Sequence, residues 1–423
     1  MAPPASYRIS AYCDAAASLY VELVIGSDSE HSLVSAVADG IQLPLQNIPV
    51  AVAMVREAHR RSAFAAVLAS DDATVELASA IAESLGLAHN PVESARISGR
   101  KDLARAAQAR AGLPVPHFRR IDLFSPIAAQ VAGVEYPCVL KPLALSGSRG
   151  VIRADDEQEL IDSCARLRQI LQANSPGAPA SLAAPTPLDA PSSPEHRFAL
   201  VEQYLGGVEI AVEAMLSSDG LEMLAIFDKP EPLVGPYFEE SYYVTPSRLS
   251  PALQSLVQTR VEQLCTAYGL VRGPVHAEFR IDNDEVWPLE LASRTIGGDC
   301  ARLLQFGAGH SLEALVIARA LGIPLTAERA AGAGGVLMIP IPRSGILRRV
   351  EGVLAAQKVP LVEDVYIAAR EGHELLALPE GSSYLGFIFA RGSDSESVER
   401  ALRAAHACLS IVIAPMWRIE AAS

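Results

Sequence analysis

The segment HAEFRIDNDEVWPLELASR, residues 276–294, constrains the fold more tightly than any other part of the chain. Two extended runs flank an Asn-Asp turn signal, so the segment reads as a β-hairpin. Alternation puts His276 and Glu278 on one face of the first strand, and Val286, Pro288 and Glu290 on one face of the second. A three-residue connection, Asn283 to Glu285, sets Glu278 directly opposite Glu290, whereas a two-residue turn sets it opposite Leu289. The first register, which faces acid with acid, is the one expected. Like charges directly opposite on a sheet are destabilising, so two carboxylates placed among apolar neighbours call for a compensating cation. Mg²⁺ suits such a pair, because it prefers oxygen ligands and is held by one or two carboxylates together with phosphates and water. A solvated hairpin whose charges align by chance is the bland alternative, and Arg294 and the Gly297-Gly298 pair weigh against it.

A chain of 423 residues is long for one core, and domains of about 100–200 residues imply two or three. Half of the residues are apolar and a fifth charged, a globular balance, and no uninterrupted apolar run approaches the roughly 18 residues of a membrane span. The opening MAPPASYRIS lacks the basic start and apolar core of a signal peptide, so a cytoplasmic protein without a membrane partner is expected. A formal charge of -14 argues against a nucleic-acid partner, which would draw on clustered Lys and Arg. It leaves room for phosphate at a local site served by a few amides and lysines. The six cysteines are scattered without a CxxC and read as reduced thiols.

The organisation is α/β and α+β. Residues 1–96 read as an α/β layer: a helix from Tyr12 to Leu19, a strand in YVELVIGS, then AFAAVLASDD as strand and acidic tip before a helix. Asp71 and Asp72 sit at a plausible ligand rim, but Asp72 is read in preference as the helix N-cap. Residues 97–325 open on the basic helix of RKDLARAAQAR, stopped by Gly112 and Pro114, and continue through CVLKP and a mobile Ala/Pro/Ser insertion at about 174–194. Alternating strands from Phe198 to Lys229, a helix from Pro251 to Tyr268, the hairpin, and a helix from His310 to Leu321 complete it. Residues 326–423 form a smaller α+β sheet-and-helix module. No internal repeats occur.

Three weaker motifs accompany the hairpin. KPLALSGSRGV carries Lys141 at a strand end and Ser146, Gly147, Ser148 and Gly150 in a loop whose small residues let backbone N–H groups approach a phosphate; a hairpin turn explains the loop equally. Lys101 precedes a helix and, in isolation, is a solvated lysine. VEQYLGGVE offers Glu202 and Glu209, carboxylates able to accept from an adenine amino group and a ribose hydroxyl, or else two edge glutamates. His276 fits a substrate-orienting or acid-base group and equally a hydrogen-bonded structural histidine. Glu239, Glu240 and Tyr242 in FEESYYVTPS are placed near an acceptor pocket.

Taken in order, Lys101, Lys141 with its SGSRG loop, Glu202 to Glu209, then Glu278, Glu290 and Arg294 resemble the series found in the ATP-grasp superfamily, over essentially the whole chain. Within it the chain looks most like the carboxylate-amine ligases that include the L-amino acid (dipeptide) ligases. The resemblance implies a Rossmann-like pre-ATP-grasp domain, an ATP-grasp domain and a small C-terminal α+β domain. It implies ATP with Mg²⁺, Mn²⁺ being the alternative ion, and small-molecule carboxylate and amine substrates joined through an acyl phosphate. By the same resemblance Lys101 and Lys141 hold phosphates, Glu202, Gln203 and Tyr204 meet adenine, and Glu209 meets the ribose. Glu278 and Glu290 bind the metal, and Arg294 meets phosphate or the substrate carboxylate. A homodimer is the expected assembly, dimers being the commonest.

Two departures stand out. Many ATP-grasp enzymes carry Glu-x-Asn-x-Arg where LELASR has Ala292, a small residue that the dipeptide-ligase branch tolerates. By the same resemblance the pre-ATP-grasp domain is expected to open on an apolar strand, whereas this sequence begins at the following loop, so either the start is misassigned or the sheet lacks that strand. A biotin-carboxylase-like enzyme acting through carboxyphosphate is the nearest alternative, and a non-catalytic ATP-binding regulator is a second; intact Glu278, Glu290 and Arg294 speak against the latter.

Overall fold

The structure is a computed structural model and describes residues 1–4, 6–28, 39–173, 191, 193–328 and 331–416. Its centre is an eight-stranded sheet in the spatial order Glu285–Ala292, Gly273–Asp282, Val208–Ser217, Gly220–Lys229, Tyr242–Thr245, Ala333–Ile339, Gly386–Gly392 and Val362–Ile367. The last three strands belong to the region expected to be a separate module. They pair instead with the centre, Leu337 opposite Tyr242 through Gly334 opposite Thr245, so the boundary at residue 326 falls within one hydrogen-bonded sheet. A three-stranded sheet of Gly345–Glu351, Glu374–Leu375 and Ser410–Ala414 stands apart from it.

One face of the central sheet is covered by the helix Pro251–Tyr268. Ser250 accepts from the Leu253 amide at 3.3 Å, Pro251 opens the first turn, and Gly269 ends the helix at φ 73°. Its Val257, Val261, Leu264 and Tyr268 pack on Val212, Val275, Ala277 and Phe279. The other face packs against the helices Ile9–Ser18 and Leu312–Leu321 at one end and is left open as a cleft at the other.

The hairpin forms with a different turn from the one expected. Asp282 pairs with Glu285, so the connection is two residues, and Asn283 and Asp284 take φ of 49° and 63°, the left-handed pair of a type I′ turn. Glu278 nonetheless faces Glu290, because the ladder shifts by one residue between Glu278 and Phe279 and leaves Leu289 as a bulge. The bulge also corrects the faces. Val286 and Pro288 pair with Ile281 and Phe279 on the helix-covered side, while Glu290 turns to the cleft with Glu278. A second shift, between Glu213 and Ala214, brings Glu209 opposite Lys229; unbroken alternation would have set it against Asp228.

A four-stranded sheet, ordered Phe118–Asp122, Phe198–Gln203, Cys138–Pro142 and Ile152–Ala154, closes the top of the cleft, backed by the helix Glu157–Ala173. The expected insertion lies, apart from its last residues, outside the described residues. Gly207 joins the two sheets at φ 81°, and a Cβ there would stand 2.1 Å from the Ile281 carbonyl oxygen. Gly207→Ala is expected to lower stability by at least about 2 kcal/mol, read as a fall in urea midpoint at unchanged slope.

In the N-terminal region the described residues hold a two-stranded parallel sheet, Val24–Ser27 with Asp39–Gln42, flanked by the helices Ile48–Arg61 and Asp72–Ser84. The strand expected in AFAAVLASDD is not formed. Residues 63–69 join no ladder, and their end meets Met1 through Met1 N to Leu68 O (2.6 Å) and Ser70 N to Met1 O (3.0 Å), too few bonds to fix an extended run. Among the described residues no helix is long and apolar enough to cross a membrane.

Candidate active site

A cleft of about 880 Å³ opens where the N-terminal region, the two sheets and the C-terminal strands meet. Lys101, Lys141, Ser146, Gly147, Ser148, Glu202, Gln203, Tyr204, Glu209, His276, Glu278, Glu290 and Arg294 all line it. Gly150 does not; its amide donates to Pro379 O at 2.9 Å, tying the loop to the C-terminal region.

Cross-strand register assembles the floor. His276 lies opposite Glu213 and Arg280 opposite Glu209, so side chains two residues apart form a charged row facing the cleft. The His276 Nδ1 is 2.7 Å from Glu213 Oε1, and its Nε2 is 3.4 Å from Glu278 Oε1. Burial disfavours the imidazolium, but the hydrogen bonds to Glu213 and Glu278 outweigh it and carry its pKa to about 9. His276 is thereby held between Glu213 and Glu278, the contact expected of a hydrogen-bonded positioning histidine.

Glu202 and Glu209 line the cleft with buried cations as partners. Glu202 accepts from Arg105 Nε (2.6 Å) and Nη2 (3.1 Å) and from Lys141 Nζ (2.6 Å), so both oxygens are engaged. Burial alone would raise its pKa; Arg105 and Lys141 outweigh burial and hold it at about 2. The carboxylate anchors Lys141 at the cleft wall. Glu209 accepts from Lys229 (2.7 Å) and Arg280 (2.9 Å), one bond on each oxygen, and lines the cleft. Lys101 reaches across the cleft: its Nζ donates to Leu145 O at 2.9 Å and stands 3.4 Å from Glu290 Oε2.

Arg294 makes a two-point contact with Asp72, Nε to Oδ1 at 2.9 Å and Nη2 to Oδ2 at 2.7 Å. The N-cap position belongs to Asp71, so the preferred reading of Asp72 as a cap is corrected: its carboxylate crosses to the hairpin. Burial works against the Arg294 charge, and Asp72 more than restores it, raising the guanidinium pKa.

The donor chemistry fits a hard divalent ion. Glu278 and Glu290 present carboxylate oxygens from paired positions on the cleft face. A second acid group, Glu209, Glu240 and Glu278, has oxygens within 4.8 Å of one another, but the Lys229 ammonium contacts all three. Burial and the Glu278 charge push Glu240 up to about 7. Of the FEESYYVTPS residues, Glu240 and Tyr243 line the cleft; Tyr242 instead packs in the core beneath the C-terminal strands, and Glu239 accepts from the Ile341 amide at 3.3 Å.

Residues 134–302 match the family model of the ATP-grasp domain, and residues 337–414 that of the L-amino acid ligase C-terminal domain 2. The chain thus carries an ATP-grasp domain followed by an L-amino acid ligase C-terminal domain 2. Over 98% of both chains, this ATP-grasp protein is similar to the crystal structure of an L-amino acid ligase from Bacillus licheniformis, with a TM-score of 0.78 at 22% identity, a likeness of fold. It is 26% identical over 321 residues to the uncharacterized protein y4rH of Sinorhizobium fredii, covering 74% of this chain and 61% of that one. Alanine–anticapsin ligase of Bacillus subtilis is 25% identical over 217 residues, 51% of this chain and 45% of that enzyme. The ATP-grasp protein thus spans about three fifths of the first of these relatives and under half of the second.

Several cleft-forming residues were not singled out from the sequence. Arg105 carries a usable signal, standing four residues after Lys101 and so on the same helix face. Phe238, which lines the cleft and packs in a small apolar cluster with Leu233, Val139, Val151 and Tyr204, lies in an irregular stretch without periodicity. Arg8, Ser382 and Tyr384 enter the cleft from the two ends of the chain, where only the fold brings them.

Proposed function

We propose that this ATP-grasp protein is an ATP- and Mg²⁺-dependent carboxylate-amine ligase acting on amino acids or related small metabolites. A substrate carboxylate oxygen attacks the γ-phosphorus of ATP and ADP leaves; an amine nitrogen then attacks the acyl carbon, phosphate leaves, and the nitrogen gives up a proton to form the amide. The observation that carries this reading is the convergence, in one cleft, of Lys101, Lys141 and Arg294 with the paired Glu278 and Glu290. Glu278 and Glu290 would hold Mg²⁺, which would supply neutralisation of phosphate charge, and Mn²⁺ suits the same oxygen donors.

The chain's own residues do the positioning. Lys141, fixed by Glu202, and the amides of residues 146–148 hold phosphate oxygens, while Val139, Val151, Tyr204 and Phe238 take the adenine ring. Arg294, oriented by Asp72, stabilises charge on the transferred phosphoryl group or the acid substrate. Acyl phosphates hydrolyse, so water must be kept out. The four-stranded sheet is suited to act as the lid, its loop held by Arg149 Nε to Glu380 O (2.7 Å) and its helix by Arg166 Nε to Glu380 Oε1 (2.6 Å).

The test is phosphate release from ATP and Mg²⁺ with pooled carboxylates and amines. Release that needs both an acid and an amine is expected; dependence on bicarbonate and biotin would favour the carboxylase reading, and ATP binding without release the regulatory one. Asp72→Asn is expected to slow release about tenfold or more at an unchanged melting temperature, since Arg294 loses its charged partner. Unaltered kinetics would remove Asp72 from the site.

A further inference from the structure

Lys229 ends the strand Gly220–Lys229, and its side chain is 2% exposed. Its ammonium lies 2.7 Å from Glu209, 2.9 Å from Glu278 and 3.1 Å from Glu240, and 4.9 Å from the Tyr243 ring centroid. The three acids come from separate segments, and their oxygens fall within the span of a single ion. Buried carboxylates this close repel one another strongly, and a cation in their midst is what lets them stay together. Arg280 supports Glu209 and His276 supports Glu278 from the periphery, but Lys229 alone among the described residues contacts all three. Lys229 is absent from the cleft lining, so it reaches the reacting groups only through these acids.

From this geometry we infer that Lys229 is a built-in counter-cation, a positioning residue that stands in for a divalent ion among Glu209, Glu240 and Glu278 in the nucleotide-free protein. Its ammonium holds Glu278 in place for the hairpin site and denies the neighbouring acid group to free metal. The metal is then left the Glu278–Glu290 pair, where nucleotide phosphates complete the ligand set. The assignment of Glu278 as a metal ligand rests on the ligase reading; the occupation of the acid group by Lys229 does not.

The experiment is Mn²⁺ binding to the full-length, nucleotide-free protein, followed by the loss of the free-ion resonance signal, for the wild type, Lys229→Met and Lys229→Arg. Lys229→Met is expected to gain a Mn²⁺ site at least about tenfold tighter than any in the wild type, and Lys229→Arg, which keeps the cation, is expected to gain none. Should Lys229→Met prove unfolded in metal-free buffer, the inference requires Mn²⁺ to restore a cooperative melt; failure of Mn²⁺ to do so overturns it. A folded Lys229→Met protein with wild-type Mn²⁺ affinity also overturns it. Because no substrate is present, a gained site together with no acid- and amine-dependent phosphate release would sink the ligase reading and leave the counter-cation standing. In an active enzyme, Lys229→Met is expected to raise the KM for Mg-ATP by more than it lowers kcat.

Discussion

Replacing Glu290 with Gln is expected to reduce ATP-dependent phosphate release by about a hundredfold or more while leaving the fold intact. The carboxamide keeps the shape and loses the anionic oxygens that a hard cation requires. Glu290 is the cleaner of the two hairpin acids to test. Its side chain is 30% exposed and its ion pair is the 3.4 Å approach of Lys101, so the stability change should stay below about 1 kcal/mol. Glu278 is unsuitable, because Lys229 and His276 both bear on it and its loss would disturb the acid row. Phosphate release and thermal melts, measured side by side, decide the matter: a stable and fully active Glu290→Gln protein would exclude Glu290 from any metal site.

Glu202→Gln is expected to cost about 3–5 kcal/mol of stability, the penalty for stranding a buried charge. Arg105 and Lys141 would both face a neutral amide, in a place where Arg105 is 3% exposed and Lys141 13%. The effect should depend on pH. Glu202 titrates at about 2 in the folded protein against an ordinary 4.5, so its contribution is present above about pH 4.5 and fades as pH falls through about 2. Urea unfolding of wild type and variant should therefore show a wide gap at pH 7 that narrows steadily toward pH 3. A gap independent of pH would mean that shape, and not charge, is what Glu202 supplies.

The hairpin shows how far a linear reading carries and where it stops. Glu278 opposite Glu290 is right, although the inference assumed a three-residue turn. The chain uses the two-residue turn that Asn283 and Asp284 favour, and corrects the register with the Leu289 bulge. Bulges leave little trace in alternation, since one extra residue shifts every later side chain to the other face. The same device at Leu224 places Lys229 opposite Glu209, which is why Lys229 escaped notice in a strand read as alternating. Glu202 and Glu209 were recognised as important acids, but their cation partners Arg105 and Arg280 lie on other elements and left no mark beside them in the sequence.

What the sequence determined by itself is the local chemistry: the strand–turn–strand of residues 276–294, the capped helix Pro251–Tyr268, the small-residue loop after Lys141, and an ordered series of charged residues that matches one superfamily. Periodicity, caps and turn residues act over a few positions, so they can be read from one end of the chain to the other. The tertiary structure alone decided that the C-terminal strands extend the central sheet, that Asp72 crosses to Arg294, and that three acids share Lys229. Those outcomes depend on strand pairing and on the desolvation of charge between segments far apart in sequence, where each carboxylate takes whichever buried cation the fold sets beside it.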